Sequence, residues 1–149
     1  MREVYRSAIV PYPAEAVFDL VADIAAYSEF LPWCNESKVL SAKDTPEGQE
    51  VVASLGLLQG ALSGAFTTRN QQRRPTGVTM SLVEGPFSEL EGEWKILPLG
   101  EQGCKLELQV SFAFSNPMKD MILGAVFEQT CNKLVDAFVR RAGEVYGSD

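Results

Sequence analysis

The chain has 149 residues, 46% of them hydrophobic, which suits one globular domain spanning 1–149 and lies outside the disordered range. Thirteen basic against twenty acidic residues leave a net charge of −7, which argues against a DNA or general nucleic-acid binder and against docking on an anionic bilayer. Histidine is absent, and with it go the commonest general base, the usual triad base and the commonest zinc ligand.

The N-terminus, MREVYRSAIV, is charged and runs straight into a strand pattern, Val4–Val10. No signal peptide or membrane-spanning run is visible, so a cytoplasmic protein with at most peripheral membrane contact is expected. Pro11 and Pro13 end the strand, and Pro13 opens a short helix, Ala14–Asp23, with Val17, Phe18, Leu20 and Val21 on its apolar side. A second helical piece, Ile24–Phe30, leads into FLPWC at Phe30–Cys34, where Pro32 forces its predecessor into an extended shape.

The period then changes from helical to two. Strands are predicted at Ser37–Lys43, Glu50–Leu57, Leu62–Asn70, Gly77–Val83, Leu90–Leu97 and Lys105–Phe114, with turns at Thr45–Gly48, Arg73–Gly77 and Pro98–Gly100. Leu62, Phe66 and Thr68 share one face; Leu90, Trp94 and Ile96 point inward; Leu106 to Phe114 alternates most cleanly. Gly56, Gly60 and Gly64 suggest bends or bulges in a strongly curved sheet. Short turns between consecutive strands imply an antiparallel sheet.

The chain closes with a predicted single long helix, Asn116–Tyr146. Leu123, Phe127, Cys131, Leu134, Phe138, Ala142 and Val145 recur at steps of four and three, one stripe of a 3.6-residue helix. Asn116 is a good cap, Pro117 suits the first helical position and Gly147 marks a stop. Arg140 and Arg141 are read as complementing the helix dipole. About thirty helical residues reach roughly 45 Å, and such a helix must be wrapped by the sheet. The expected class is α+β: one curved antiparallel sheet and one long helix, with two short helices after the first strand.

Reactive constellations are scarce. Glu89, Glu91 and Glu93 alternate on the polar face of one strand, and Asp19 and Asp23 are read as surface charges. Cys34, Cys104 and Cys131 are far apart and odd in number, with no metal-ligand spacing, and are read as buried thiols. No catalytic residue and no metal site is assigned. Arg69, Arg73 and Arg74 form the one local basic cluster, read first as solvated surface and second as an anion or RNA contact.

The aromatic residues say more. Trp33, Phe66, Phe87, Trp94, Phe112 and Phe127 fall at inward or hinge positions, with Leu90 and Cys131 on the same faces. Core packing accounts for most of them. A sheet curled round a helix also tends to leave a space, and these side chains, with almost no ionisable group, would line a pocket for an apolar ligand. Gly56, Gly60, Gly64 and Gly92 would keep bulk out of it.

FLPWC, then FTTRN at Phe66–Asn70, GPF at Gly85–Phe87 and LEGEWKILPL at Leu90–Leu99, between the VPYPAEAVFDLVADIAAY opening and the VFEQTCNKLVDAFVRRAGEVY helix, resemble the coenzyme Q-binding START-like family end to end. Its bacterial branch is also called the ribosome association toxin RatA family, within the polyketide cyclase/dehydrase and lipid transport superfamily. The resemblance implies a helix-grip fold and a hydrophobic tunnel between sheet and helix. It implies non-enzymatic binding of ubiquinone or a related prenyl lipid in support of respiration, with no further cofactor. On that reading Trp33 and Phe87 sit at the mouth, and Phe66, Trp94, Phe112 and Phe127 line the wall. It also implies an alternative, a toxin that associates with the large (50S) ribosomal subunit and blocks subunit joining, for which Arg69, Arg73 and Arg74 are the candidate contacts. A cyclase- or dehydratase-type enzyme ranks last, because the inward faces offer almost no acid–base groups.

Overall fold

In the computed structural model of the chain, which describes residues 1–59 and 62–147, the first strand runs from Arg2 to Val10 (β1). Helix α1 (Ala14–Ala22), a 3-10 turn (Ile24–Ala26) and the single turn α2 (Tyr27–Phe30) follow. Then come β2 (Cys34–Thr45), β3 (Gly48–Gln59), β4 (Leu62–Arg73), β5 (Gly77–Glu84), β6 (Phe87–Pro98) and β7 (Cys104–Phe114), and finally α3 (Pro117–Asn132) and α4 (Leu134–Tyr146). The strands make one antiparallel sheet in the order β1-β7-β6-β5-β4-β3-β2.

The period-two pattern sets the sheet's inner face. Leu106, Leu108, Val110, Phe112 and Phe114 are buried along β7, Leu90, Trp94 and Ile96 along β6, and Leu62, Phe66, Thr68 and Asn70 along β4. Val17, Phe18 and Val21 of α1 join the same core from above. Register shifts in β2 at Cys34/Glu36 and Val39/Ser41, and in β6 at Phe87/Glu89, bend the sheet. At Gly85 φ is +152°, and a Cβ there would lie 2.7 Å from Phe66 Cβ, so only glycine lets the chain leave β5 so close to the β4 backbone at Phe66.

The C-terminal segment departs from the single-helix expectation. Asn116 does cap it, its Oδ1 accepting from Met118 N at 2.9 Å and Lys119 N at 3.4 Å, with Pro117 in the first turn. The rod then breaks at Lys133 into α3 and α4. No proline or glycine stands there. Instead the Thr130 hydroxyl donates back to Val126 O at 3.0 Å, and Lys133 N bonds Thr130 O at 3.2 Å in a tightened, 3-10-type turn. A threonine bonded to the carbonyl four residues back bends a helix. Val145 is also exposed rather than inside the stripe, while Val135 and Ala137 are buried. Arg141 serves the packing rather than the dipole: its guanidinium lies 5.0 Å from the centre of the Phe30 ring and 3.3 Å from Glu29 Oε1, fastening α2 to α4.

Candidate functional site

Between the inner face of the sheet and the break in the C-terminal rod lies a hollow of about 70 Å³. Trp33 from the corner after α2, Phe66 from β4, Leu90 and Trp94 from β6, and Phe127 and Cys131 from α3 all border it. The remaining wall is Ile24, Tyr27, Leu55, Thr68, Asn70, Met80, Gly92, Val110, Thr130, Leu134 and Phe138. None of these side chains is charged at neutral pH. At about 30 Å³ per water the space would hold roughly two waters, far less than the tunnel expected from the resemblance.

Six of the eight side chains expected to line a tunnel therefore meet round one space. Phe87 and Phe112 do not. They belong to an aromatic cluster beside it, in which Phe87 stacks on Phe114 at 4.7 Å and Phe127 meets Phe112 edge-on at 4.7 Å. Phe87 is buried there and is not at a mouth. Among the glycines expected to hold space open, Gly92 borders the hollow, but a side chain there would strike the Met80 methyl, which already fills the position. A side chain at Gly56 would meet Asn35 of the adjoining strand, and Gly64 faces open space. Gly60 lies outside the described residues.

Trp33 and Thr130 border this hollow and also an outer cleft of about 280 Å³ formed with Leu31, Pro32, Gln59, Val126, Gln129, Lys133, Ala137 and Arg140. These two side chains stand between the two spaces and form the partition. FLPWC holds its half of the partition through backbone bonds: Cys34 N donates to Leu31 O at 3.0 Å and Leu58 N to Trp33 O at 2.8 Å.

The polar groups of the wall are largely self-satisfied. Tyr27 donates its hydroxyl to Val21 O; burial, with Asp23 adding to it, pushes this phenol far above its ordinary value. Burial likewise pushes the Cys131 thiol from 9.0 to about 12, with Glu128 adding to the shift, so the group is a neutral thiol at any physiological pH. Asn70 gives its Nδ2 hydrogens to Val51 O at 3.1 Å, Thr68 Oγ1 at 3.1 Å and Thr68 O at 3.4 Å. The period-two pattern puts Thr68 inward and by itself assigns Asn70 no role. The signal was there: Asn70 falls two residues beyond Thr68 on the buried face of a strand, where an amide needs a reason to be.

The three arginines do not form one surface. Arg69 lies on the outer face of the sheet, 3.5 Å from Glu50, which Lys43 also meets at 3.0 Å. Arg74 sits in the β4–β5 turn, bonded to both oxygens of Asp19 at 3.2 and 3.3 Å. Arg73 makes no ion pair among the described residues. Hydrogen bonds from Lys43 and Gln71 hold the Glu50 carboxyl below its usual range. Glu89 and Glu91 are exposed and Glu93 is half-buried on the same outer face. Among the described residues no group of three His, Cys, Asp or Glu side chains could hold a metal ion, and no helix is long and apolar enough to cross a membrane.

An antiparallel sheet gripping a C-terminal helix over an apolar hollow defines a helix-grip, START-like protein. Residues 10–139 match the family described as polyketide cyclase / dehydrase and lipid transport, and the chain belongs to that family. It is 44% identical to the ribosome association toxin RatA of Pseudomonas aeruginosa, over 97% of both chains. It is 43% identical to the protein of the same name from Vibrio cholerae, over 99% of both. The mitochondrial coenzyme Q-binding protein COQ10 homolog B of Xenopus laevis is 31% identical over 97% of this chain, which spans 59% of that protein. Among solved structures, an 18 kDa protein from Caulobacter crescentus superposes with a TM-score of 0.79 at 27% identity, covering 99% of this chain and all of that one. A Streptomyces aromatase/cyclase superposes with a TM-score of 0.78 at 20% identity over 95% of this chain and 93% of its own; at that identity the likeness is one of fold.

Proposed function

We propose that this chain binds an uncharged prenyl lipid of the ubiquinone type in the hollow and carries out no reaction on it. The observation that carries the reading is the wall itself: apolar side chains from five strands and the C-terminal helices, converging without one ionised group. Such a wall favours a hydrocarbon chain, each buried CH₂ being worth about 0.8 kcal/mol, and gives an acid–base mechanism nothing to work with. A space of about 70 Å³ cannot take an isoprenoid chain as it stands. The ligand therefore enters by moving the Trp33–Thr130 partition and the α3 wall, the side of the hollow that has a break to hinge on. Cyclase or dehydratase chemistry remains the least supported reading.

The test is organic extraction of the protein purified from its own cells, followed by mass spectrometry, with uptake of added short-chain quinone measured in parallel. A bound prenyl quinone, or saturable uptake, supports the reading. A protein that carries none and takes up none overturns it.

A second reading has its own support. The relatives at 43 and 44% identity, matched along nearly their whole length, are named for ribosome association. On this reading the protein works in the bacterial cytoplasm on the large subunit as a toxin. Arg69 and Arg74 are already matched by Glu50 and Asp19, and the net charge is −7, so ribosomal protein is a better surface for it than bare RNA. Sedimentation with large subunits in a sucrose gradient at low salt is expected; absence from every ribosomal fraction removes this reading. The two readings use different parts of the molecule and can both hold.

A further inference from the structure

Two hydrogen-bonding groups on residues that border the hollow, Thr68 and Asn70, keep an unused donor and an unused acceptor among the described residues. Thr68 and Asn70 are 4% and 2% exposed. Two of the three contacts of Asn70 Nδ2 are to backbone carbonyls, which only accept, so the nitrogen of the carboxamide is fixed by its partners. Its third contact makes Thr68 Oγ1 an acceptor. The Thr68 hydroxyl hydrogen then has no acceptor, and Asn70 Oδ1 has no donor, among the described residues. The other hydroxyl donors on the wall are spent, Thr130 on Val126 O and Tyr27 on Val21 O.

One donor and one acceptor, on side chains already bonded to each other, stand within a single hydrogen bond plus the width of an amide. A ligand hydroxyl can accept from Thr68 and donate to Asn70 Oδ1 at once. A ketone oxygen can only accept and leaves Oδ1 unsatisfied, which costs a buried group its desolvation. A carboxylate or phosphate finds no cation on the wall. Resting on the prenyl-lipid reading above, we infer that the ligand enters polar end first and that this end is a neutral hydroxyl: the site holds the reduced, quinol form of a prenyl quinone in preference to the oxidised form.

Anaerobic titration calorimetry on the intact protein tests this with three probes: a quinone bearing two isoprene units, its chemically reduced quinol, and an oxygen-free aromatic hydrocarbon with the same prenyl chain. The quinol is expected to bind roughly five- to tenfold more tightly than the quinone, about the worth of one net hydrogen bond. Asn70→Leu should erase that difference. Thr68→Val should weaken quinol and quinone together and leave the hydrocarbon unchanged, and Thr68→Ser, which keeps the hydroxyl, should restore both. If Asn70→Leu does not fold, the quinol-to-quinone ratio of the unsubstituted protein decides the preference, and the Thr68 pair decides whether the ligand's oxygen lies at this place. Equal binding of quinol and quinone by the unsubstituted protein, or a Thr68→Val loss shared by the hydrocarbon, overturns the inference while leaving the lipid reading intact. Uptake of none of the three overturns both.

Discussion

Helix α4 hides Val135, Ala137, Phe138 and Ala142 and turns Asp136, Arg140 and Glu144 outward, while α3 buries Gly124, Phe127, Thr130 and Cys131 yet leaves Met118, Met121 and Ile122 at 71, 79 and 65% exposure. The first is an ordinary amphipathic helix with its apolar side used up. The second is apolar on both sides and satisfied on one. The anchors differ as well. Phe138 of α4 meets Trp94, Phe30 and Tyr27 at 5.0, 5.1 and 5.3 Å. Helix α3 is tied to β1 by Arg2, which reaches Glu128 at 2.9 Å and packs its guanidinium over Gly124, where any side chain would collide with it. The hollow lies under the junction. Phe127 pins α3 to the sheet's aromatic cluster, 4.7 Å from Phe112 and 5.1 Å from Phe87. So α4 is the fixed wall and α3 a wall pinned at that ring and open along Met118–Ile122, an arrangement suited to a site that must open to admit a ligand.

The largest effect should fall on the fixed wall. Phe138→Ala removes a 2%-exposed ring from three aromatic contacts and should cost about 3–5 kcal/mol in urea unfolding, whereas Met121→Ala on the outer side of α3 should stay within about 0.5 kcal/mol. Equal losses would dissolve the contrast between the helices.

Alkali should come next. Cys131 is an acid whose value rises from 9.0 to about 12 on folding. Below 9 both states hold the proton and nothing changes. Between 9.0 and about 12 the unfolded chain gives it up and the native chain keeps it, so stability falls as pH rises through that window. The urea midpoint should drop between pH about 9 and about 10.5, and Cys131→Val should flatten part of that drop. A slope untouched by the substitution would mean that Cys131 is not the group responsible.

Thr130→Val removes the back-bond to Val126 without changing size. Amide exchange at Lys133 and Leu134 should slow as the rod straightens, with a stability change below about 1 kcal/mol; an unchanged exchange pattern would put the cause of the break elsewhere. The smallest effect is expected from Glu128→Gln, since a half-exposed ion pair is worth about 0–1 kcal/mol. Its signature is selective: faster amide exchange in α3 with α4 unmoved. Acceleration in both helices would show that they open as one.

Alternation in Leu106–Phe114 was enough to assign the inner face of β7, and Asn116-Pro117 enough to assign the helix start, because both signals are local. The break at Lys133 was hidden because the apolar stripe runs through it with the step of three, Cys131 to Leu134, that a straight helix also permits; what bends the rod is a hydroxyl bond inside one turn. The size of the hollow was hidden for a different reason. Trp33, Phe66 and Phe127 read as wall whether or not space lies between them, and Phe87 and Phe112 were separated from it by ring packing that no periodicity encodes. The arginine cluster, local in sequence over 69–74, is dispersed by partners far along the chain, Asp19 for Arg74 and Glu50 for Arg69.

Trp33 and Trp94 are the two tryptophans of the chain, and both touch the hollow. The molecule thus carries its own optical gauge: entry of water should shift its emission to the red, and entry of hydrocarbon to the blue. Because Trp33 stands in the partition and Trp94 on the sheet, replacing each by phenylalanine in turn would report separately on the gate and on the floor, without a dye or a labelled lipid.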